Sequence, residues 1–341
     1  MPPDIIQVRR ANTTALLESV RAALLDALGG ERDEALGTHT TVYVTGSCGR
    51  GDMGTASDLD PYVVRVDSAV STTAPSEKAA KAIASALRTA VERVALPELD
   101  HDGDYARLVT AESLFDYLGS PTDDETGALT KRMLLLLESR PLVNNEAYDR
   151  LLAKTINAYW RNEAYHPTDY LPFILVNDIV RYWRIVLLNH ESRLQEKSRK
   201  SSLSPDDEMA LRRYSSYKLR VPRCLSCFSA LAYLLSLTPT DEAHVKREDI
   251  IRMSGMSPIE RLEDLRGNSN APATTLDALQ RLYVAYLERT NGGKTELTDR
   301  LRNDQTTVRA VSLDGREFTR HMFNLIQTLG GGRALHRAIV V

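Results

Sequence analysis

An α+β fold, with a small mixed-sheet domain followed by an all-α helical bundle, is what this sequence predicts, and three observations predict it. Between residues 12 and 109 the apolar pattern switches between helical and strand period several times. After about Ser120 the helical period runs almost unbroken to the end. The first region also contains a glycine-rich turn set between strand-like runs, residues 42–64, VYVTGSCGRGDMGTASDLDPYVV.

Residues 12–28 repeat apolar positions at three and four and run into Gly29-Gly30, which predicts an amphipathic helix with a glycine stop. A strand over 41–45, the glycine turn and a second strand around 58–66 follow. Residues 77–94 put Ile83, Leu87, Val91 and Val94 on one helical face, and Pro97 ends that helix. The acidic run 99–104 leads into a third strand over 105–109. Further helices are expected over 125–139, 146–163, 170–194, 205–237, 246–265, 273–290 and 317–329, separated by turns such as Arg140-Pro141 and Asn291-Gly292-Gly293. These patterns place the domains at 1–122 and 123–341.

With 341 residues, 43% apolar and 26% charged, the composition is that of a soluble globular protein large enough for two cores. A net charge of −3 removes the simplest electrostatic case for bulk nucleic-acid binding and leaves a local basic groove open. Sparse cysteines, Cys48, Cys224 and Cys227, suit a reducing compartment. No run reaches the ~18–20 apolar residues of a membrane helix. The expectation is therefore a cytoplasmic protein with no membrane partner. Cys224 and Cys227 lie at helical spacing among Phe228, Leu231 and Leu234, and no second pair completes a zinc site, so both are expected in the core.

The chemistry concentrates in residues 42–64. On a strand, Asp58 and Asp60 point to one face while Leu59 points into the core. Paired carboxylates offer hard oxygen ligands to divalent ions. Gly46 and Ser47 let the backbone come close to phosphates, with the Ser47 hydroxyl and N–H as donors. Arg50 can add a charged fork to a triphosphate or hold the loop against the acidic pair. The plain alternative is a hairpin with a surface acidic pair, but carboxylates sharing a strand face repel and rarely serve packing. Pro61 cannot donate to a sheet ladder and predicts an edge or a bulge just past the acids.

Gly46-Ser47, ten residues, then Asp58-Leu59-Asp60 resembles the signature of the polymerase-β nucleotidyltransferase superfamily. The fuller reading, with Cys48-Gly49-Arg50-Gly51-Asp52 and Ser57, looks most like the branch that includes the PII uridylyltransferases. With the helical stretches from Ala128 on, the likeness covers roughly residues 40–235. It implies a small mixed-sheet nucleotidyltransferase domain, with a helical domain covering the active-site cleft. It also implies two Mg²⁺ ions held by Asp58, Asp60 and a third acid, for which Asp104 is the first choice and Asp102 the second. The other reading of residues 99–104 is a solvated acidic turn. ATP or UTP would be the nucleotide, contacted by Gly46, Ser47, Arg50 and Ser57, with Lys218 and Arg220 reaching the triphosphate from the helical domain. The phosphohydrolase and ligand-sensing domains of the larger enzyme have no room here, so its PII substrate is not carried over. Free-standing enzymes of this kind also occur as toxins and anti-phage effectors.

In the helical region Asn177, Arg181 and Arg184 form one stripe. Buried arginines need partners, so the stripe is expected to face phosphate, the interdomain cleft or a carboxylate such as Glu138 or Asp178. Lys218 and Arg220, with Arg223, either meet the triphosphate or form a solvated helix face. Arg184 and His190 match the short pattern of HEPN ribonucleases, which also arises readily by chance. The basic run 193–200 lacks interleaved aromatics, so an exposed helix end describes it better than an RNA site. Three functions follow: nucleotidyl transfer to a hydroxyl, protein and RNA acceptors being favoured; nucleotide binding as a regulator without turnover; and RNA cleavage by Arg184 and His190.

Overall fold

A computed structural model of the chain describes residues 4–55, 57–66, 77–99, 107–200, 203–240 and 242–340. The chain divides into two compact units between Arg161 and Asn162. The first holds a four-stranded mixed sheet, and the second has helices and no strand among its described residues. Among the described residues no helix is long and apolar enough to cross a membrane.

In the first unit, helix α1 (Ile5–Leu28) begins at an Asp4 cap whose side chain accepts from the Ile6 N–H, earlier than the apolar period alone indicated. A short helix α2 (Arg32–Ala35) leads to β1 (Thr40–Thr45), then α3 (Gly46–Arg50), β2 (Asp60–Arg65), α4 (Glu77–Arg93) and β3 (Leu108–Thr110). Helices α5 (Pro121–Glu125) and α6 (Ala128–Leu137), strand β4 (Arg140–Val143) and helix α7 (Asn145–Tyr159) complete the unit. The strand order is β3-β2-β1-β4, with β1 antiparallel to both neighbours and β2 parallel to β3.

Strand period sorts the side chains into two faces. Val42, Val44, Leu59 and Val63 enter a core with Leu17, Val20 and Leu24 of α1 and Ile83, Leu87 and Val91 of α4. On the other face Tyr43 stacks on its register partner Tyr62 at 5.4 Å between ring centres and meets Tyr148 of α7 edge-on at 5.9 Å. Asp60 pairs with Thr45 in the same register and belongs to this tyrosine face, away from the α1–α4 core. The sheet ladder begins at Asp60, so Asp58 and Leu59 form its irregular approach and are not strand residues.

Two elements depart from the sequence reading. Residues 140 and 141, expected to be a turn, open the edge strand β4, which pairs with β1 through a register shift between Val42 and Tyr43. Proline is tolerated at a sheet edge, where its missing donor leaves no neighbour unsatisfied. Four residues with a proline inside carry too little alternation for β4 to show as a strand. Its pairing keeps α6 and α7 with the sheet, so the division falls at Arg161 rather than at 122. Pro61 lies in β2, an interior strand, but β3 pairs only from Val63 on, so the described β3 does not reach it.

Beside the sheet, Arg132 of α6 is wholly buried and forms a bidentate pair with the buried Asp123 of α5, both contacts at 2.6 Å. It also donates to the Leu114 carbonyl at 2.5 Å and to the Tyr159 hydroxyl at 2.9 Å. One guanidinium thereby ties α5, α6, α7 and the 112–114 turn together. Burial opposes its charge, and Asp123 and Tyr159 more than offset it.

The second unit runs through α8 (Phe173–Lys200), α9 (Pro205–Lys218), a π turn (Leu219–Arg223), α10 (Cys224–Ser236), α11 (Arg247–Gly255), α12 (Pro258–Asn268), α13 (Ala273–Arg289), α14 (Gly293–Asn303), α15 (Gln305–Gly330) and α16 (Ala334–Val340). Helix α10 is apolar all round and lies against α8, α12 and α15. Cys224 and Cys227 are buried free thiols within it, and burial pushes the Cys224 pKa up to about 12. The run 205–237, one helix by its period, is broken in register by the π turn. Pro222 lies inside that turn, and a ring that clashes with an ordinary helical turn is accommodated by a wider one.

Removing one half of the buried Arg132–Asp123 pair strands a charge. Asp123→Ala is expected to lower unfolding free energy by about 3–5 kcal/mol in urea denaturation, and an unchanged midpoint would show that the pair holds nothing together.

Candidate functional site

The turn after β1 is a five-residue helix, α3, bracketed by two glycines in the left-handed region, Gly46 with φ 65° and Gly51 with φ 75°. Gly51 N–H donates to the Cys48 carbonyl at 3.2 Å and Asp52 N–H to the Ser47 carbonyl at 3.0 Å, which closes the turn. The glycines are also required by what lies against them. A Cβ on Gly46 would stand 2.5 Å from Oδ2 of Asp60, and one on Gly49 would stand 1.9 Å from the Glu138 carbonyl oxygen. On Gly51 it would meet Nη2 of Arg140 at 2.5 Å.

These contacts place Asp60. The Asp60 carboxylate rests directly over the Gly46 backbone, at the end of β1 where Thr45 pairs with Asp60. Asp58 precedes it, half-buried, and its carboxylate makes no hydrogen bond or ion pair among the described residues. The buried Cys48 thiol lies 3.6 Å from the Asp58 carbonyl oxygen and 3.1 Å from Met53 Sδ. Burial, and then the negative charges of Asp60, Asp58 and Asp52, push its pKa far above the ordinary thiol value. Cys48 thus stays protonated and fills space beneath the acids. Ser47 is half-buried on α3, and Ser57 accepts from the Gly54 N–H at 2.9 Å, shaping the loop before Asp58.

Arg50 holds the loop, though by other carboxylates than the acidic pair. It bridges Asp52 and Glu138, each at 3.0 Å, with a side chain only 8% exposed. Glu138 therefore answers Arg50. The α8 stripe has another partner, Asp178, on which Arg181 sits at 2.7 Å. That stripe is not buried as expected, since Asn177 and Arg184 are exposed. Arg184 and His190 stand about 120° apart around α8, and His190 Nδ1 is hydrogen-bonded to Ser215 Oγ at 3.0 Å. Lys218 lies over the Tyr214 ring at 5.8 Å, and Arg220 is exposed. Asp102 and Asp104 lie outside the described residues. Among the described residues no three His, Cys, Asp or Glu side chains gather as a metal site.

Sequence reasoning missed the braces of this loop. Arg9 of α1 donates to the Asp52 carbonyl at 2.9 Å, and Thr13 Oγ1 accepts from the Met53 N–H at 3.2 Å. The available signal was two polar residues, Arg9 and Thr13, in the buried stripe that continues through Leu17, Val20 and Leu24. Arg140 adds a bond from Nε to the Gly49 carbonyl at 3.1 Å.

Comparison with known protein families finds no matching family, and comparison with curated proteins finds no match either.

Gly49 offers a direct check on the loop's packing. Gly49→Ala drives a methyl into backbone and is expected to cost about 1–3 kcal/mol or more. Gly267→Ala, in α12 with open space around it, is expected to be neutral or to stabilise by up to about 1 kcal/mol. Thermal melts of both variants decide the matter, and equal melting temperatures would contradict the close approach.

Proposed function

We propose that the first unit is a nucleotidyltransferase site, which moves a nucleoside monophosphate from ATP or UTP to a hydroxyl acceptor. The observation that carries this reading is the seat of the Asp60 carboxylate on the Gly46 backbone. It brings the glycine turn and one acid of the pair, Asp60, to one spot, in keeping with the resemblance to polymerase-β-type nucleotidyltransferases.

In this reading Gly46 leaves room for phosphate oxygens beside the backbone, and the Ser47 hydroxyl and N–H donate to them. The acceptor oxygen attacks the α-phosphorus as the bond to the β-phosphate oxygen breaks, so pyrophosphate leaves and the hydroxyl proton passes to a base or solvent. Asp58 and Asp60 fit Mg²⁺ by donor type, being hard carboxylate oxygens two residues apart in sequence, with no ion pair to the Asp58 carboxylate among the described residues. Mg²⁺ held there would supply the positive charge that phosphoryl transfer needs. Asp104 remains the first choice for a third acid, on the resemblance alone. A protein or RNA hydroxyl is the acceptor favoured by the same resemblance, and a toxin or anti-phage role is compatible with it. Arg50 acts in this reading by keeping α3 in place, since its guanidinium is engaged with Asp52 and Glu138.

The test is transfer of label from each α-labelled nucleoside triphosphate, with Mg²⁺ and cell extract as the source of acceptor. Label should appear on protein or RNA, and Asp58→Ala and Asp60→Ala should each lower the rate at least about a hundredfold without loss of fold. Transfer that survives both changes overturns the assignment. Nucleotide binding without transfer would make the unit a regulator, and RNA loss abolished by His190→Ala alone would move the activity to the helical unit.

A further inference from the structure

We propose that the helical unit carries a surface for the phosphodiester backbone of a nucleic-acid strand, built on α9, the π turn and the side of α8 that meets them. The first observation is charge. Residues 181–223 hold eleven Lys and Arg against five Asp and Glu, in a chain whose net charge is −3. A local reversal of sign on that scale is the footprint of an anionic partner.

Several exposed arginines elsewhere in this unit are answered by carboxylates: Arg252 by Asp264, Arg266 by Asp277 and Arg320 by Glu317. Arg220 and Arg223 make no ion pair or hydrogen bond among the described residues. They are also gathered with others. His190 of α8 is tied to Ser215 of α9, and its pKa is held below the ordinary imidazole value by burial first. Glu191 opposes that shift, and the charges of Arg223, Arg212 and Arg220 deepen it. Three guanidiniums therefore bear on one imidazole, and Glu208 offsets only that of Arg212.

The second observation is how Arg220 is seated. A Cβ on Gly315 would lie 3.1 Å from Cδ and 3.5 Å from Cβ of Arg220. A glycine inside a helix costs roughly 0.5–1 kcal/mol against alanine, and Gly315 stands in the middle of the 26-residue α15. Its place there makes a bed for the stem of an arginine whose head is left in solvent. The π turn that carries Arg220 and Arg223 is the kind of helix irregularity that recurs at functional positions.

A guanidinium fork matches phosphate oxygens, and the basic surface is long. Arg212 and Arg223 span roughly 15 Å along α9 and the π turn by helical rise. That length suits a row of phosphates better than one triphosphate. The surface is argued independently of whether the first unit transfers nucleotides.

Fluorescence anisotropy of a labelled single-stranded oligonucleotide, in RNA and DNA forms, with the full chain over a range of salt tests this. Binding should weaken with salt, with a log–log slope near −2 for about three phosphate contacts. Arg220→Gln with Arg223→Gln should lower affinity about tenfold and flatten the slope by about 1.4. Gly315→Ala should weaken binding severalfold while the thermal melt holds or rises, which separates lost contact from lost fold. Arg320→Gln, outside the surface, should change nothing. Unaltered affinity and slope in the double variant would overturn the proposal, as would ATP or UTP displacing the strand one for one. Preference between the RNA and DNA forms identifies the natural strand.

Discussion

Close approach of backbone to backbone at Gly49 is the constraint on which the first unit depends. Residues 46–51 must sit under Asp60 on one side and against Glu138, Ser139 and Arg140 on the other, with no room for a Cβ at Gly46, Gly49 or Gly51. Arg50 clips the same turn to Glu138 and Asp52. The turn is thereby fixed by neighbours that lie far along the chain. Nearly every other polar bond around it, from Arg9, Thr13, Ser57 and Arg140, braces the flanking loop in the same position.

This explains why β4 and the helices around it belong to the sheet unit. The Leu137–Arg140 junction is the wall against which α3 closes, and β4 pairs beside β1 immediately after it. The buried Arg132–Asp123 pair then holds α5, α6 and α7 behind that wall. The same support fixes Gly46 and, with it, the place of the Asp60 carboxylate over its backbone.

The helical unit is organised on different terms. Its centre is the apolar α10, joined to α9 by a π turn that accepts Pro222. Arg261 is wholly buried and donates to the Met253 carbonyl at 3.0 Å and to the Ser226 carbonyl at 3.4 Å, joining α12 to α11 and α10. Several surface arginines are paired with carboxylates, and residues 181–223 hold a local excess of basic residues. Charge in this unit is thus sorted by position even though the chain as a whole is near neutral.

The residue pattern by itself was enough to determine the α+β region followed by helices, the strands on either side of the glycine turn, the burial of Leu59 and the core place of Cys224 and Cys227. Each of these follows from local period and composition, which a sequence displays directly. Only the tertiary structure decided that Arg50 answers Asp52 and Glu138, that Arg9 and Thr13 brace the loop, and that residues 140 and 141 belong to a strand. It also decided that Gly46 lies beneath Asp60, that the Asn177–Arg184 stripe is largely exposed, and that Gly315 makes room for Arg220. All of those depend on contacts between residues distant in sequence, where the partner is selected by packing and register rather than by neighbouring residues. The glycines of 46–51 were visible as a turn; that three of them are spaces reserved for other parts of the chain was not.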